Sequence, residues 1–108
     1  MRQHAAILVV LCLAGCDPRA AADSVTRAAA RSVVVPVVGQ VLPAPQAEQA
    51  AACVIDHADA AEIESLARDV GTRAGTLTEA TVATILRRPA TRACLAARGI
   101  APAAFEVS

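Results

Sequence analysis

The segment CVIDH, which begins at Cys53, contains three residue types that could do chemistry. Cys53 and His57 are four residues apart, so on a helix both side chains lie on one face, with Asp56 beside them. A thiolate and an imidazole are typical zinc ligands, and the same two groups form nucleophilic sites. A closed zinc site uses four ligands, however, and the one other histidine, His4, lies in a signal-like N-terminal segment. The alternative is a helix end at which Asp56 and His57 are simply solvated. Whether the Cys53 thiol is free or bonded distinguishes a reactive or metal-binding site from this structural interpretation.

The N-terminal segment has the layout of an export signal that ends at a cysteine. Arg2 precedes an apolar run from Ala5 to Leu13, and about nine apolar residues are too few to cross a bilayer. The motif Leu13-Ala14-Gly15-Cys16 resembles the lipobox of bacterial lipoproteins. The resemblance implies that the Cys16 thiol receives a diacylglyceryl group and that cleavage removes residues 1–15 as a signal peptide. An ordinary secretory signal that is cut elsewhere is the alternative interpretation.

Asp17 directly follows the predicted lipid-bearing Cys16, and this arrangement resembles the inner-membrane retention signal of enterobacterial lipoproteins. We therefore expect a protein of the bacterial cell envelope that is lipid-anchored, faces the periplasm and resides at the inner membrane. The expected partners are the membrane, through the anchor, and an envelope protein. Nucleic acid is not an expected partner, because all ten basic residues are arginines interleaved with ten acidic residues. No cofactor or small-molecule substrate is predicted, since no glycine-rich phosphate loop or paired-histidine motif occurs in the sequence.

The four cysteines divide into two groups. Cys12 leaves with the signal peptide and Cys16 is assigned to the lipid, which leaves Cys53 and Cys94 in an oxidising compartment. Two remaining thiols are most simply a disulfide there, and closing a loop of about 41 residues stabilises a fold by roughly 4 kcal/mol in the chain-entropy model. A redox-active pair is the rival interpretation, although no C-x-x-C motif is present to lower the pKa of a thiol.

The composition favours one small helical domain. Of the 108 residues, 56% are hydrophobic but only 1% are aromatic, so alanine and valine make up much of the apolar content. Alanine favours helices and close helix packing, but it contributes little burial energy per residue. The predicted fold is therefore all-α, a small bundle of short helices tied by one disulfide after a cleaved signal peptide.

Capping residues and periodicity divide the chain behind the signal peptide into three parts. Residues 16–42 are predicted to form the lipidated N-terminus and a membrane-proximal helix that starts at Pro18. Residues 43–47, with the sequence PAPQA, are predicted to be a stiff linker. Residues 48–108 are predicted to form the disulfide-tied helical module. Its expected helices are residues 48–57, a helix that Asp59 and Glu62 begin with a capping box and that ends at Gly71, a helix capped by Thr78, and residues 90–98, which end at Gly99.

Helical spacing also predicts which side chains face inward. The expected inward positions are Val25, Ala28, Ala29 and Val33 in the first helix and Ala90, Ala93, Cys94 and Ala97 in the last. Arg87 and Arg88 are interpreted as a solvated basic end of the helix before them. The valine-rich residues 33–42, which Pro36 and Gly39 interrupt, are either a segment that covers the core or an element that contacts the membrane surface.

Three stretches of the chain, RSVVVPVVGQVLP, CVIDHADAAEIESLA and ILRRPATRACLAARGI, resemble a group of small exported proteins of alphaproteobacterial type. The similarity extends over residues 27–100. It implies a compact helical fold tied by Cys53 and Cys94, with the helix start at Asp59 and the break at Arg88-Pro89 as shared features.

Together these patterns predict a lipid-anchored envelope protein that acts as a non-catalytic binding or structural module. Two alternatives stay open. One is a periplasmic thiol, redox or metal-binding factor that uses Cys53, His57 and Cys94. The other is a membrane-acting small protein that works through residues 33–42.

Overall fold

The computed structural model describes residues 18–105, and within that range the protein is all helical, as the sequence predicts. The helices are α1 (Pro18–Val38), α2 (Ala44–Asp56), α3 (Ala60–Arg68), α4 (Thr76–Leu86) and α5 (Pro89–Ala97), and a 3₁₀ helix (Pro102–Phe105) follows. Helix α1 packs chiefly against α2 and α3, while α5 packs chiefly against α2. None of the helices in this part of the chain combines the length and the hydrophobicity needed to cross a membrane.

The buried stripe of α1 lies in the C-terminal half of the helix. Ala30, Val33, Val34 and Val38 recur at helical spacing and are buried in the core. The predicted inward residue Val25 is 70% exposed instead. Residues 19–25 are all exposed, because the first two turns of α1 extend past the side chains that form the core. Ala28 is also exposed and Ala29 is only half-buried, so the prediction was correct for Val33 alone among the four positions.

The valine-rich residues 33–42 form the end of α1 and the turn after it. Pro36 lies inside the helix with its ring exposed, and α1 continues for two more residues before it ends at Val38. The backbone N–H of Leu42 then donates to the Val38 carbonyl oxygen at 3.1 Å, and the Leu42 side chain is buried. Four apolar side chains of this stretch, those of Val33, Val34, Val38 and Leu42, are therefore engaged in the core.

Helix α2 begins earlier than the sequence predicts. Residues 43–47 are not a linker, because Pro43 is the N-cap residue and α2 starts at Ala44, with Pro45 in its first turn. Proline fits this position, since the first helical N–H groups have no partner within the helix. Ala47, Ala50 and other small residues of α2 are fully buried, so α1 lies close to α2 and shares one continuous core with the C-terminal helices.

The start of α3 is the predicted capping box. The Asp59 carboxylate accepts a hydrogen bond from the backbone N–H of Glu62 at 2.8 Å, and the Glu62 carboxylate accepts one from the Asp59 N–H at 2.9 Å. Ile63 and Leu66 are buried at helical spacing. Gly71, in the loop after α3, has a φ angle of +82°, a backbone conformation that glycine adopts without strain.

Helix α4 starts at Thr76 and not at Thr78 as predicted. Gly75 is the N-cap residue, and Thr78 is buried inside the first turn. Its hydroxyl donates a hydrogen bond of 2.7 Å to the Asp69 carboxylate at the end of α3. Thr78 therefore ties α4 to α3 and does not cap its own helix.

Helix α5 buries a different face from the one predicted. Ala90, Ala93 and Ala97 are exposed, whereas Thr91 and Leu95 are fully buried and Cys94 is half-buried. The large Leu95 side chain gains more from burial than alanine does, so it sets the orientation of the helix. The helix ends in a Schellman motif at Gly99 (φ +74°), in which the Ile100 N–H donates to the Leu95 carbonyl oxygen at 2.9 Å. Ile100 is buried beside Leu95 in the core, and Phe105 packs against the same core.

Thr91 places a hydroxyl oxygen in the core for which residues 18–105 offer no hydrogen-bond partner. A buried polar group without a partner destabilises the folded state. We expect Thr91→Val to raise the free energy of unfolding by about 1 kcal/mol, measured by urea unfolding of both proteins. The control is Thr84→Val, because the exposed Thr84 hydroxyl already donates to the Ala80 carbonyl oxygen at 2.9 Å and its loss should change stability by less than about 0.5 kcal/mol. Destabilisation by Thr91→Val would show that the hydroxyl has a partner in solution.

Candidate functional site

The two cysteines predicted to pair form a disulfide. The Sγ atoms of Cys53 and Cys94 are 2.04 Å apart, and the bond joins the last turn of α2 to α5. Cys53 is 0% exposed, while Cys94 is half-buried. Any thiol exchange would have to begin at Cys94, since the Cys53 sulfur is closed to solvent.

The two polar residues of the CVIDH segment, Asp56 and His57, each accept a hydrogen bond from a different arginine. Asp56 accepts a hydrogen bond from the Arg27 guanidinium of α1 at 3.2 Å. His57 is the C-cap residue of α2, and its backbone carbonyl oxygen accepts a hydrogen bond from Arg88. No group of three or more histidine, cysteine or acidic side chains that could hold a metal ion occurs among residues 18–105. The thiol or metal site hypothesised for Cys53, His57 and Cys94 thus has its two sulfur atoms joined to each other in this structure.

A polar cluster of the described chain is centred on Arg88, for which the sequence predicts a solvated helix end. Arg88 is the N-cap residue of α5, and its guanidinium forms a two-pronged contact with the Glu62 carboxylate, from Nη1 to Oε1 at 2.7 Å and from Nη2 to Oε2 at 2.8 Å. Nη1 also donates to the His57 carbonyl oxygen at 2.9 Å. We name this arrangement of Arg88, Glu62 and the His57 carbonyl the Arg88 clamp. It brings the end of α2, the start of α3 and the start of α5 together.

Local sequence accounts for each part of the clamp. Glu62 is the third residue of the Asp59 capping box, so its carboxylate is already held at the N-terminus of α3. Pro89 occupies the first position of α5, which leaves Arg88 in extended backbone (φ −66°, ψ 136°) immediately before the helix. Glu62 is only 17% exposed and Arg88 is 34% exposed, so solvent screens this pair less than it screens a surface ion pair.

The clamp shifts the acidity of both partners. The hydrogen bond from Arg88 lowers the pKa of the Glu62 carboxyl, the backbone N–H of Asp59 lowers it further, and desolvation by burial opposes both effects. The same hydrogen bond raises the pKa of Arg88 above its ordinary value. Glu62 is therefore ionised in the folded protein at a pH where it is partly protonated in the unfolded chain.

This shift predicts a component of acid sensitivity. Because the pKa of Glu62 is lower in the folded state, its stabilising contribution is fully present above the ordinary value of about 4.5 and is lost as the pH falls from there through the folded-state pKa. We expect the stability difference between the wild type and Glu62→Gln to be constant near neutral pH and to shrink below about pH 4.5. Thermal unfolding of both proteins from pH 7 to pH 2 measures it. A difference that stays constant down to pH 2 would contradict the prediction.

Two exposed ion pairs join α1 to α2. The Arg27 and Asp56 side chains approach to 3.2 Å, and those of Arg31 and Glu48 to 3.3 Å. About half of each side chain is exposed, so each pair contributes little to stability. They link α1 to α2 at the surface but provide no reactive group.

One concave surface of the described chain is a groove of about 440 Å³ between the C-terminal half of α1 and the loop that follows α3. Ser32 and Pro36 line it from α1, and Gln40 lines it from the turn that follows. The opposite wall is the loop of residues 69–74, whose Val70 side chain is 48% exposed, and Glu79 closes one side. The groove mixes an apolar contact with charged groups of both signs.

Cys16, the predicted lipidation site, lies outside the described residues, as do the predicted signal peptide and the last three residues of the tail. The structure begins at Pro18, and residues 19–25 of α1 present only exposed side chains.

Comparisons of the chain with protein-family models, with curated proteins and with solved structures give no match. The features of the chain that bear on its function are therefore its own: the lipobox-like motif, the disulfide, the clamp and the groove.

Proposed function

We propose that this chain is a lipid-anchored protein of the bacterial cell envelope that faces the periplasm, at the inner membrane, and acts there as a non-catalytic binding or structural module. The observation that carries the proposal is the Cys53–Cys94 disulfide, in which Cys53 is fully buried. Structural disulfides of this kind persist in oxidising compartments and are rare in the reducing cytosol. The export-signal layout of residues 1–16 agrees with that compartment.

The exposed start of α1 supports attachment close to the membrane. Cys16 precedes the first described helical residue by two positions, and the first buried residue of α1 is Ala30. Seven exposed helical residues span about 10 Å at the helical rise per residue. An acyl group on Cys16 would therefore hold the bundle just above the lipid headgroups, with its other faces free to bind a partner.

The groove beside α1 supports a binding role. It lies at the end of α1 that is remote from Cys16 in sequence, so a partner that bound there would approach from the side away from the anchor. An envelope protein is the partner we propose, because the groove offers an apolar contact at Val70 flanked by charged Asp69, Arg73 and Glu79.

The decisive experiment is the intact mass of the protein from its native membrane fraction, alkylated with and without prior reduction. We expect residues 1–15 to be absent, acyl mass to be attached to Cys16, and Cys53 and Cys94 to alkylate only after reduction. Cys16→Ser should remove the acyl mass and, because the lipid is attached before cleavage, should leave residues 1–15 on the chain. Cys12→Ser is the matched control, because Cys12 lies within the predicted signal peptide and its substitution should leave the anchored protein unchanged.

Two outcomes would contradict the proposal. An unacylated Cys16 in protein that still sediments with membranes would remove the lipid anchor. Alkylation of Cys53 or Cys94 without reduction, or rapid opening of the disulfide by millimolar glutathione in the folded protein, would favour the thiol or redox alternative instead.

A further inference from the structure

We infer that the Arg73–Ala74 peptide bond is a processing site for an arginine-specific endopeptidase, and that the cut protein remains one folded molecule. In this two-chain form, residues up to 73 and residues from 74 onward are joined by the Cys53–Cys94 disulfide. The inference does not depend on the lipid anchor.

The backbone at Arg73 lies in a loop, outside the hydrogen bonding of the helices. Residues 69–75 connect α3 to α4, and the Arg73 side chain is exposed. Within the described chain, the backbone N–H and carbonyl groups of Arg73 and Ala74 form no backbone hydrogen bond. The space around Gly71 and Gly75 is open, since no other atom lies within 4 Å of where a Cβ would stand. Exposed loops with small residues and unpaired backbone groups are the preferred sites of proteolytic nicking.

The other arginines of residues 18–105 lie in helices, in hydrogen-bonded helix ends or in the clamp. All ten basic residues of the chain are arginines, so a protease specific for basic residues has no lysine to cut after. Arg19, Arg27, Arg31, Arg68 and Arg92 lie within helices, and Arg87 lies at the helix end, with its N–H bonded to the Ala83 carbonyl oxygen. Arg88 is engaged in the clamp and is followed by proline, which has no backbone N–H and distorts a substrate backbone. Arg98 lies in the hydrogen-bonded turn of the Schellman motif.

Several contacts join the two sides of the Arg73–Ala74 bond. Cys53 lies before Arg73 and Cys94 lies after it, so the disulfide joins the two pieces. The hydrogen bond from Thr78 to Asp69 also crosses the cut. The Arg88 clamp does the same, because Arg88 belongs to one piece and Glu62 to the other. Core side chains from both pieces share one buried cluster, so cutting the loop removes no core contact.

The chemistry is the hydrolysis of one amide. Water adds across the Arg73–Ala74 bond, leaving a carboxylate on Arg73 and an ammonium group on Ala74. The disulfide takes no part, so no oxidant or reductant is consumed. The product differs in mass from the intact chain by one water molecule until it is reduced.

The test begins with limited trypsin digestion of the purified, oxidised protein. We expect the first cut within residues 27–98 to fall after Arg73. The digest should keep the helical circular dichroism of the uncut protein and should separate into two fragments only after reduction. A first internal cut after any other arginine, or loss of the helical signal on cutting at Arg73, would overturn the inference.

Matched variants and the native protein complete the test. Arg73→Gln should slow this cut by about a hundredfold or more, because an arginine-specific pocket loses its charged partner. Arg68→Gln, five residues earlier in α3, should leave the rate unchanged. Native protein taken from the envelope and then reduced should yield a fragment that begins at Ala74. Native protein that consists of uncut chain alone would overturn the claim that the site is used for processing.

Discussion

Removal of the Cys53–Cys94 cross-link should lower the free energy of unfolding by about 4 kcal/mol, the chain-entropy value for a loop of roughly 41 residues. This loss is large for the protein, because small domains are stable by only about 5–15 kcal/mol in total. The core cannot offset it readily, since so many of its side chains are alanine and valine. We expect the double variant Cys53→Ala with Cys94→Ala to be largely unfolded at about 37 °C.

Urea unfolding followed by circular dichroism measures this effect. The variant is compared with wild-type protein kept reduced by dithiothreitol, which retains both sulfur atoms but not the bond. Equal losses in the two samples would assign the effect to the cross-link, and a larger loss in the variant would reveal the packing contribution of the sulfur atoms. A reduced protein as stable as the oxidised one would contradict the structural role of the disulfide.

Neutralising Glu62 should have the second largest effect, because the carboxylate accepts two hydrogen bonds from Arg88 and one from the Asp59 N–H. Hydrogen bonds to charged groups contribute more than neutral ones, so Glu62→Gln should lower the free energy of unfolding by about 2 kcal/mol at pH 7. Arg88→Met should destabilise the protein as well, since it leaves the Glu62 carboxylate with its charge and without its guanidinium partner. Chemical denaturation of each variant gives these values.

The double variant Glu62→Gln with Arg88→Met separates the pair from the rest of the fold. If the two side chains act through each other, the double variant should lose less stability than the sum of the single variants. Glu64→Gln is the control on the same helix, because its contact with Arg68 spans 3.9 Å in solvent and its loss should cost less than about 0.5 kcal/mol. Additive losses from Glu62 and Arg88 would show that the clamp does not act as a unit.

The elements that local sequence determines were predicted well. The capping box of Asp59 and Glu62 requires only residues three positions apart, and both hydrogen bonds are present. The disulfide followed from removing two of the four cysteines, which left one possible pair. Proline was ambiguous, because the same residues suit a stiff linker and the first turn of a helix, and Pro43 and Pro45 serve the latter.

Which face of each helix is buried could not be predicted from residue spacing in an alanine-rich chain. When alanine recurs on several sides of a helix, several faces look equally apolar, and the larger side chains decide which one is buried. Leu95 therefore turned α5 away from the predicted alanine face. Val25 is exposed for another reason, since it lies in the first two turns of α1, before the buried stripe that begins at Ala30.

The Arg88 clamp could not be predicted for a different physical reason. Arg88 and Glu62 are 26 residues apart in sequence, and nothing in either local pattern indicates the other. The pairing arises only when α3 and α5 meet at the end of α2. Charged residues at helix ends are usually solvated, so an isolated motif cannot reveal the exception.

The continuity of α1 has a mechanical consequence. The helix extends without interruption from Pro18 into the core, where Ala30, Val33 and Val34 are packed against the other helices. Under the proposed attachment at Cys16, a pulling force on the anchor would be transmitted along the helix α1 to these contacts. The described chain has no loop between Pro18 and the core that could extend first. The load would act in shear between α1 and its neighbours α2 and α3, while the covalent bridge kept α2 and α5 together. A tethered bundle of this kind would yield first by sliding α1 out, and the force at which it yields would depend on the valines of α1 and not on the disulfide.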